Sequence, residues 1–569
     1  MVNVKNLFGM AVMASALVAC SSNDDVNPSG NQQESAGTAY ATFQINLPTV
    51  NGTRADEPDG EPTFARGEEY KVNDATLFLF EKDGSDYKFK ESVDLGSMEP
   101  WTPTDPADGG ISTTAKITAK LTKASVGTNG NYYALIILNN SGSKIKTPNF
   151  DETYSTWSAN ADNANATAYL NTKNGFVMAN APKFVDKGEP ETLVKIAGVY
   201  ATEKEATNNA ATTIYVERGL AKVSLASGSE NKHLEITAGN YKDDVVDIKG
   251  WALDVTNTKT FPVHVTAGLA TDFTGIWNST TTAGQKYGAK INRFWDEKLS
   301  EFPRVYWGVD PNYNKDFSTV QDCAKEFNMI TKNDIKLSES DAKEPQYCLE
   351  NTFDINHMMQ GQSTRVLFAA KYTPKGFSEN ETFYKMGNSV ALWNADKVTA
   401  QIKAMTQEVL NESDASKVTV TLNASGNDLT KAGTHFVTAA NVSWTGGDIS
   451  TEQIKNINTK LGFNETNGVG LGTYENGISY YIARVKHFNE LTPWKAGDDT
   501  YNSSNIDWLG RYGVLRNNWY ELSVNSVSAP GYPDVPKVNP TDPDDENNQY
   551  ISVSVKILDW AKRAYSVDL

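Results

Sequence analysis

The chain has 569 residues, 39% of them hydrophobic and 10% aromatic, and a net charge of −18 from 70 Asp and Glu against 52 Lys and Arg. Its basic residues do not cluster, which excludes the cationic face that nucleic-acid phosphates or an anionic bilayer surface demand. The length allows two or three domains, and the acidic, Asn-, Thr- and Gly-rich composition suits a β-rich surface protein.

Taken in chain order, the first feature is Lys5 followed by an apolar stretch of about 13 residues, too short for a permanent membrane helix. It ends "LVAC" and then "SSNDD", which resembles a bacterial lipobox. That resemblance implies a signal peptide over residues 1–19, cleavage before Cys20, a diacylglycerol on its thiol and acylation of the new amine. Two or three acyl chains anchor stably where one does not. The alternative is an ordinary secretory signal with an incidental cysteine.

Residues 24–37 form a polar tether. In "YATFQINLP" the apolar side chains of Ala41, Phe43, Ile45 and Leu47 alternate, which predicts a strand with one buried face. About twenty residues of Gly-, Pro- and acid-rich loop follow, "TVNGTRADEPDGEPTFARGEEY". Strands resume at "ATLFLFEKDG", where Asp83-Gly84 signals a turn, and at "YYALIILNNSG". Further strand signals are "TIYVERGLAKVSLAS", "HLEITAG", "RVLFAAKYTP", "KVTVTLNASG", "SYYIARVKHF" and "NWYELSVNSV". Short strands bounded by turn residues, without regular intervening helices, predict an all-β chain of antiparallel sandwiches. The break "ASGSENK" sets the domain boundary at residues 225–232, giving domains 55–228 and 229–528.

One helix is predicted, with Val398, Ile402, Met405 and Val409 on one face and Asn394 or Asp396 as its cap. "VQDCAKEF" reads as a short helix carrying Cys323. Cys323 and Cys348 can form a disulfide in an oxidising compartment or be buried as small apolar residues. Residues 529–549 make a Pro- and Asp-rich spacer. The tail, 550–569, alternates again, with Ile551, Val553, Val555 and Ile557 on one face and Trp560 just beyond.

Chemistry is sparse. The five histidines are scattered, no cysteine joins them at zinc-ligand spacing, and there is no Walker loop or G-x-S-x-G elbow. "GVGLGT" at Gly468 spaces its glycines wrongly for a dinucleotide turn. Carboxylate pairs for glycoside hydrolysis depend on three-dimensional separation and stay open. The acidic run at 542–546 lacks the regular ligand-plus-Gly loop of a strong calcium site. The reading is of a non-enzyme without metal or cofactor; the competing class is a surface lipoprotein that stacks exposed Trp and Tyr on sugars.

Several phrases in this order resemble the fimbrillins, subunits of type V pili, and most closely the major subunit of short fimbriae. They are the lipobox at Cys20, "TLFLFEKDG", "YYALIILNN", "NGFVMANAP", "VERGLAKVSL", "RYGVLRNNWYELSVNSV" and the terminal "ISVSVKILDWAKRAYSVDL". The resemblance implies two transthyretin-like β-sandwich domains with a few short helices. It also implies an outer-membrane lipoprotein precursor that becomes a fimbrium on the cell surface, serving adhesion or biofilm formation. A trypsin-like, Arg-specific surface protease would cut the loop after the first strand, here between Arg54 and Ala55, with Arg66 as rival. The segment 20–54 would leave with its lipid, and the tail of a neighbouring subunit, residues 550–569, would fill the vacated groove. The partners so implied are further copies of this chain and accessory fimbrial subunits. Shaft, anchor and tip roles differ in whether the Arg site and the tail are both present; this chain has both. The adhesion ligand on a host or bacterial surface is not legible.

Overall fold

Alternation and turn chemistry build a two-sandwich molecule. The computed structural model describes residues 37–47, 69, 71–98, 113–127, 130–183, 191–226, 228–229, 232–266, 295–296, 304–305, 307–338, 342–487, 510–544 and 551–559. Cys20, Arg54, Ala55, Arg66 and Trp560 fall outside them.

The first sandwich comprises β1 (Ala39–Leu47), β2 (Ala75–Asp83), β3 (Asp86–Gly96), β4 (Thr113–Leu121), β5 (Tyr132–Leu138), β6 (Met178–Asn180), β7 (Val194–Lys195) and β8 (Thr212–Arg218). Their order is β3-β2-β5-β6-β8-β1-β4, with β7 beside β5. β8 joins the two layers. Its first half, Thr212 to Tyr215, runs parallel to β1, and its second half pairs antiparallel with β6. The Asp83-Gly84 signal is the tip of the β2–β3 hairpin, where Gly84 sits at φ +63, a conformation glycine adopts without penalty. β2 and β5 read as apolar runs because both faces are covered. Phe78 and Phe80 lie on opposite partners of the same aromatic group, edge-on to Phe89, Trp157 and Tyr154. One helix, α1 (Glu203–Asn208), opens on a Thr202–Glu205 capping box and packs over the outer side of β1 and β4.

The second sandwich pairs two four-stranded sheets. One holds β10 (His233–Glu235), β11 (Val245–Asp254), β13 (Arg365–Thr373) and β14 (Ile478–Arg484). The other holds β12 (Gln346–Cys348), β9 (Ala221–Leu225), β15 (Asn518–Val527) and the tail strand β16 (Ile551–Asp559). Their facing side chains, among them Val246, Val366, Phe368, Tyr481, Tyr520 and Leu522, form one core.

The chain crosses between sandwiches earlier than the sequence break at 225–232 suggests. β8 ends at Arg218 in the first sheet and β9 begins at Ala221 in the second; Leu220 belongs to one core, Ala221 and Val223 to the other. "VERGLAKVSL" is therefore two strands, not the end of one domain. Gly219 makes the crossing: a Cβ there would lie 2.2 Å from the Tyr169 ring.

Residues 374–477 are a second departure. They are inserted between β13 and β14, which are themselves antiparallel neighbours, and carry a core of their own. This lobe contains α2 (Ala395–Leu410), capped by Asn394 and burying Val398 and Ile402, as the sequence predicts. It also holds α3 (Thr451–Lys460) and short strands.

The spacer is the third. Residues 529–544 do not hang free but are strapped to the second sandwich. Tyr532 exchanges both backbone bonds with Tyr480, Arg365 donates to the Pro536 carbonyl at 2.8 Å, and the Arg484 guanidinium holds Asp544 at 2.7 Å. Five prolines suit such a strap, since each removes an N–H that would otherwise need a partner.

Candidate assembly site: the first strand and the tail

β1 alternates, and its slot is deep. Ala39, Ala41, Phe43, Ile45 and Leu47 all have 0% exposure. On one side nine residues pair antiparallel with β4; on the other, Phe43 to Asn46 pair parallel with β8. β1 is thus an interior strand inserted between two others, and its outer side is partly covered: Thr42 is 3% exposed beneath α1 and Asn46 is buried, while Gln44 between them is exposed. Phe43→Ala is expected to lower the stability of the uncut chain by about 3–5 kcal/mol. The readout is the denaturant midpoint, and a change under about 1 kcal/mol would mean that the slot collapses around the missing ring.

A row of hydroxyls marks the outer side. Thr42 and Thr118 lie 2.8 Å apart, Thr118 and Thr207 3.2 Å, and Thr207 donates to the Glu203 carbonyl at 2.9 Å. Each hydroxyl has one proton. With Thr207 spending its own on Glu203, Thr118 donates to Thr207 and Thr42 to Thr118.

The tail lies on its own second sandwich. β16 pairs antiparallel with β15 from Val527↔Ile551 to Asn518↔Asp559, with a bulge between Val524 and Ser526. Among the described residues it is the last strand of its sheet and has one neighbour. Ile551 is buried and Val553 half-buried against the core.

Downstream of the loop that holds Arg54 and Arg66 the chain is pinned at Glu69. Its carboxylate accepts from the Lys222 ammonium at 2.8 Å and the Tyr347 hydroxyl at 2.6 Å, and its carbonyl accepts from Arg218 Nε at 2.6 Å. The side chain is 1% exposed. Lys222 also stacks on the Trp519 ring at 3.7 Å. Around this point the domains share further buried polar contacts, Glu217 with His264 and the Tyr169 hydroxyl donating to the Pro262 carbonyl, and Glu350 pairs with Arg516 within the second sandwich. Burial pushes the Tyr169 phenol up to about 12, so it remains a neutral donor.

The remaining sequence candidates separate. Cys323 and Cys348 are both free and buried in different cores, so no disulfide joins them. Burial pushes their thiols up, to about 11 and about 12, which removes their reactivity. Among the described residues there is no His, Cys, Asp or Glu cluster fit for a metal. Trp157, Trp251, Trp307 and Trp519 are buried and Trp393 and Trp444 half-buried, so none of these offers a free ring face to a sugar. Among the described residues no helix is long and apolar enough to cross a membrane. Every arginine whose side chain is described is buried: Arg218, Arg365, Arg484, Arg511 and Arg516. Sequence reasoning missed Glu69, whose only signal is an acidic residue at the end of an acidic loop.

Residues 472–566 match the family described as major fimbrial subunit protein type IV, fimbrillin, C-terminal. Over these residues the chain is similar to the C-terminal region of fimbrillins. The fimbrillin match spans β14, β15, the strap and the tail strand. Among solved structures, a protein of Parabacteroides distasonis ATCC 8503 provisionally described as a cell adhesion protein is similar at 10% identity and a TM-score of 0.38, over 92% of this chain and 98% of that one. The tip fimbrial protein Mfa3 of Porphyromonas gingivalis, with a C-terminal truncation, is similar at 10% identity and a TM-score of 0.26, over 92% and 100%. A fimbrial assembly protein of Parabacteroides distasonis ATCC 8503 is similar at 12% identity and a TM-score of 0.20, over 40% and 66%. Likenesses this distant carry no functional weight. No protein of curated function matches the chain.

Proposed function

We propose that this protein is a structural subunit of a surface fimbria, exported as a precursor lipidated at Cys20. It is cut after Arg54 and polymerised by exchange of β1 for the tail strand of a neighbouring copy, with accessory fimbrial subunits as further partners. The observation that carries this reading is β1 itself: an interior strand with five fully buried side chains, joined to the rest of its domain through the segment that contains both candidate cleavage sites. Removing such a strand opens two backbone ladders and an apolar floor at once, and an opened edge is a template for another strand. The fimbrillin match supports the reading from the other end of the chain.

Glu69 favours Arg54 over Arg66. A protease draws several residues either side of the cut into its cleft, and sites of cleavage concentrate in exposed loops. Residue 69 lies three beyond Arg66 and is locked by Lys222, Tyr347 and Arg218. The test is digestion of the purified precursor with an Arg-specific protease, followed by N-terminal sequencing and electron microscopy. The expected first cut gives an N-terminal Ala55, with no cutting after the buried Arg218, Arg365, Arg484, Arg511 and Arg516, and fibres once the segment holding β1 has been displaced. A first cut giving Gly67 would move the site to Arg66, and rapid cutting after any of those five would contradict the protection expected from their burial.

A further inference from the structure

The slot also dictates how the incoming strand lies in it. Resting on the strand-exchange reading above, we infer that the tail of a second copy enters the slot in the direction of β1 and in a single register. In that register Ile551, Val553, Val555 and Ile557 take the places of Ala41, Phe43, Ile45 and Leu47, and Ser552 takes the place of Thr42. The two stretches, "ATFQINL" and "ISVSVKI", then align residue for residue, and each follows a tyrosine in the sequence.

The slot has five inward places with 0% exposure, Ala39 to Leu47, and every other register puts a charged group or a larger number of polar groups into them. A slip by one residue turns the whole strand over and sends Ser552, Ser554 and Lys556 into the core. A slip of two in one direction sets Ile551 at Ala39 and carries the Asp559 carboxylate into the place of Leu47. A slip of two in the other sets Ile551 at Phe43 and brings both Gln549 and Asn547 inward, into the places of Ala41 and Ala39. In the inferred register the four inward positions from 41 to 47 stay apolar, and Gln549 alone, an uncharged amide, falls at Ala39 where the strand enters. The bulk that isoleucine adds at Ala41 adjoins the space that valine frees at Phe43.

The outer side selects against reversal and against the slip that sets Ile551 at Phe43, which would bring Tyr550 to position 42; the slip that sets Ile551 at Ala39 brings Ser554 there and is excluded by Asp559 alone. Thr118 accepts its hydrogen bond from position 42, because its own proton goes to Thr207 and that of Thr207 goes to Glu203. Position 42 must therefore supply a donor in very little space, since it is 3% exposed. Ser552 is such a donor. Reversing the strand over the same four places would put Lys556 there instead, in mid-strand beneath α1. In the inferred direction Lys556 replaces Asn46, which is also buried at 6% exposure but lies next to the last residue of the strand, where a long stem has the shorter way to carry its ammonium to water. Thr118 and Thr207 are thus positioning residues that read a hydroxyl on the arriving strand.

Disulfide trapping tests this, because directly opposed residues bring their Cβ atoms within bridging range whereas diagonal ones stand roughly 7–8 Å apart. Thr118 opposes position 42 and Lys116 opposes position 44. In a full-length background with Cys323→Ala and Cys348→Ala, fibres assembled from Ser552→Cys, Thr118→Cys protein and mildly oxidised should give a ladder of linked subunits on a denaturing gel. Ser554→Cys with Lys116→Cys should do the same. A ladder instead from Ser554→Cys with Thr118→Cys, or from Ser552→Cys with Lys116→Cys, reports one of the two-residue slips and overturns the register while leaving strand exchange intact. Fibres that give no ladder with any of these pairs also overturn the register. Whether exchange itself then fails is decided separately by whether Val553→Asp, Val555→Asp protein still polymerises.

Discussion

Protein carrying Val553→Asp and Val555→Asp together is expected to stay monomeric after Arg cleavage, under conditions in which the parent forms fibres visible by electron microscopy. In the proposed assembly both side chains enter positions with 0% exposure, those of Phe43 and Ile45. Each apolar side chain buried there is worth about 1.5–3 kcal/mol, and burying an unpaired carboxylate costs several kcal/mol more, so the pair removes any net gain from exchange. At home the same positions are less demanding, since Val553 is only half-buried on an edge strand with one neighbour. The monomer should therefore still melt cooperatively, with a modest loss of stability. Fibres of normal length would remove the tail from the mechanism; an unfolded monomer would show that the tail is structural at home.

The asymmetry between the two berths also gives the exchange a direction. At home β16 has one ladder, to β15; in the slot it would have two, to β4 and β8. Leaving an edge for an interior position gains backbone bonds worth about 0.5–1.5 kcal/mol each and deeper burial for the alternating residues. The cut alone does not empty the slot, because a severed β1 still holds Phe43, Ile45 and Leu47 in the core; it makes β1 replaceable. The strap bears on reach. An unattached 21-residue spacer could span several tens of ångströms, but with Asp544 clamped by Arg484 only six residues separate the clamp from Ile551, a length of roughly 20 Å at full extension. The neighbour must therefore present its slot close to the second sandwich.

Much of this was legible because it rests on period and turn chemistry. The alternation in "ATFQINL" and "ISVSVKI", the Asp83-Gly84 hairpin and the Asn394-capped helix each express a local rule, and the structure places a strand, a turn and a helix there. What escaped depends on partners distant in sequence. The crossing at Gly219 hides inside a continuous apolar phrase, because both halves are buried, only in different cores. The strap reads as a linker because Pro, Asp and Asn are also linker residues; partners distant in sequence, Tyr480, Arg484, Arg365 and Gln360 among them, make it an ordered element. In the lobe at 374–477 the strands have two to four residues, so that alternation shows only at "KVTVTLNASG", and the lobe is held by α2 and α3. Glu69 could not be singled out, since three of its partners, Arg218, Lys222 and Tyr347, lie well over a hundred residues downstream.

Arg54→Ala should leave an intact chain that keeps β1 and forms no fibres. The uncut chain holds its slot filled by a covalently attached strand, so an incoming tail competes with an intramolecular partner at very high effective concentration. Millimolar effective concentration against micromolar free subunits is already a disadvantage of about a thousandfold, or roughly 4 kcal/mol. The second ladder gained by the tail does not offset this, because β1 already occupies both. Arg66 does not rescue the variant on this account, since Glu69 keeps residues just beyond it bound at the domain junction. The comparison that decides is Arg54→Ala alone against Arg54→Ala with Glu69→Ala. The single variant should resist an Arg-specific protease in the 48–68 segment, while the double variant, with the junction released, should be cut after Arg66 and regain fibres. Fibres of normal length from the single variant, with an N-terminal Gly67, would show that the Glu69 junction does not shield Arg66.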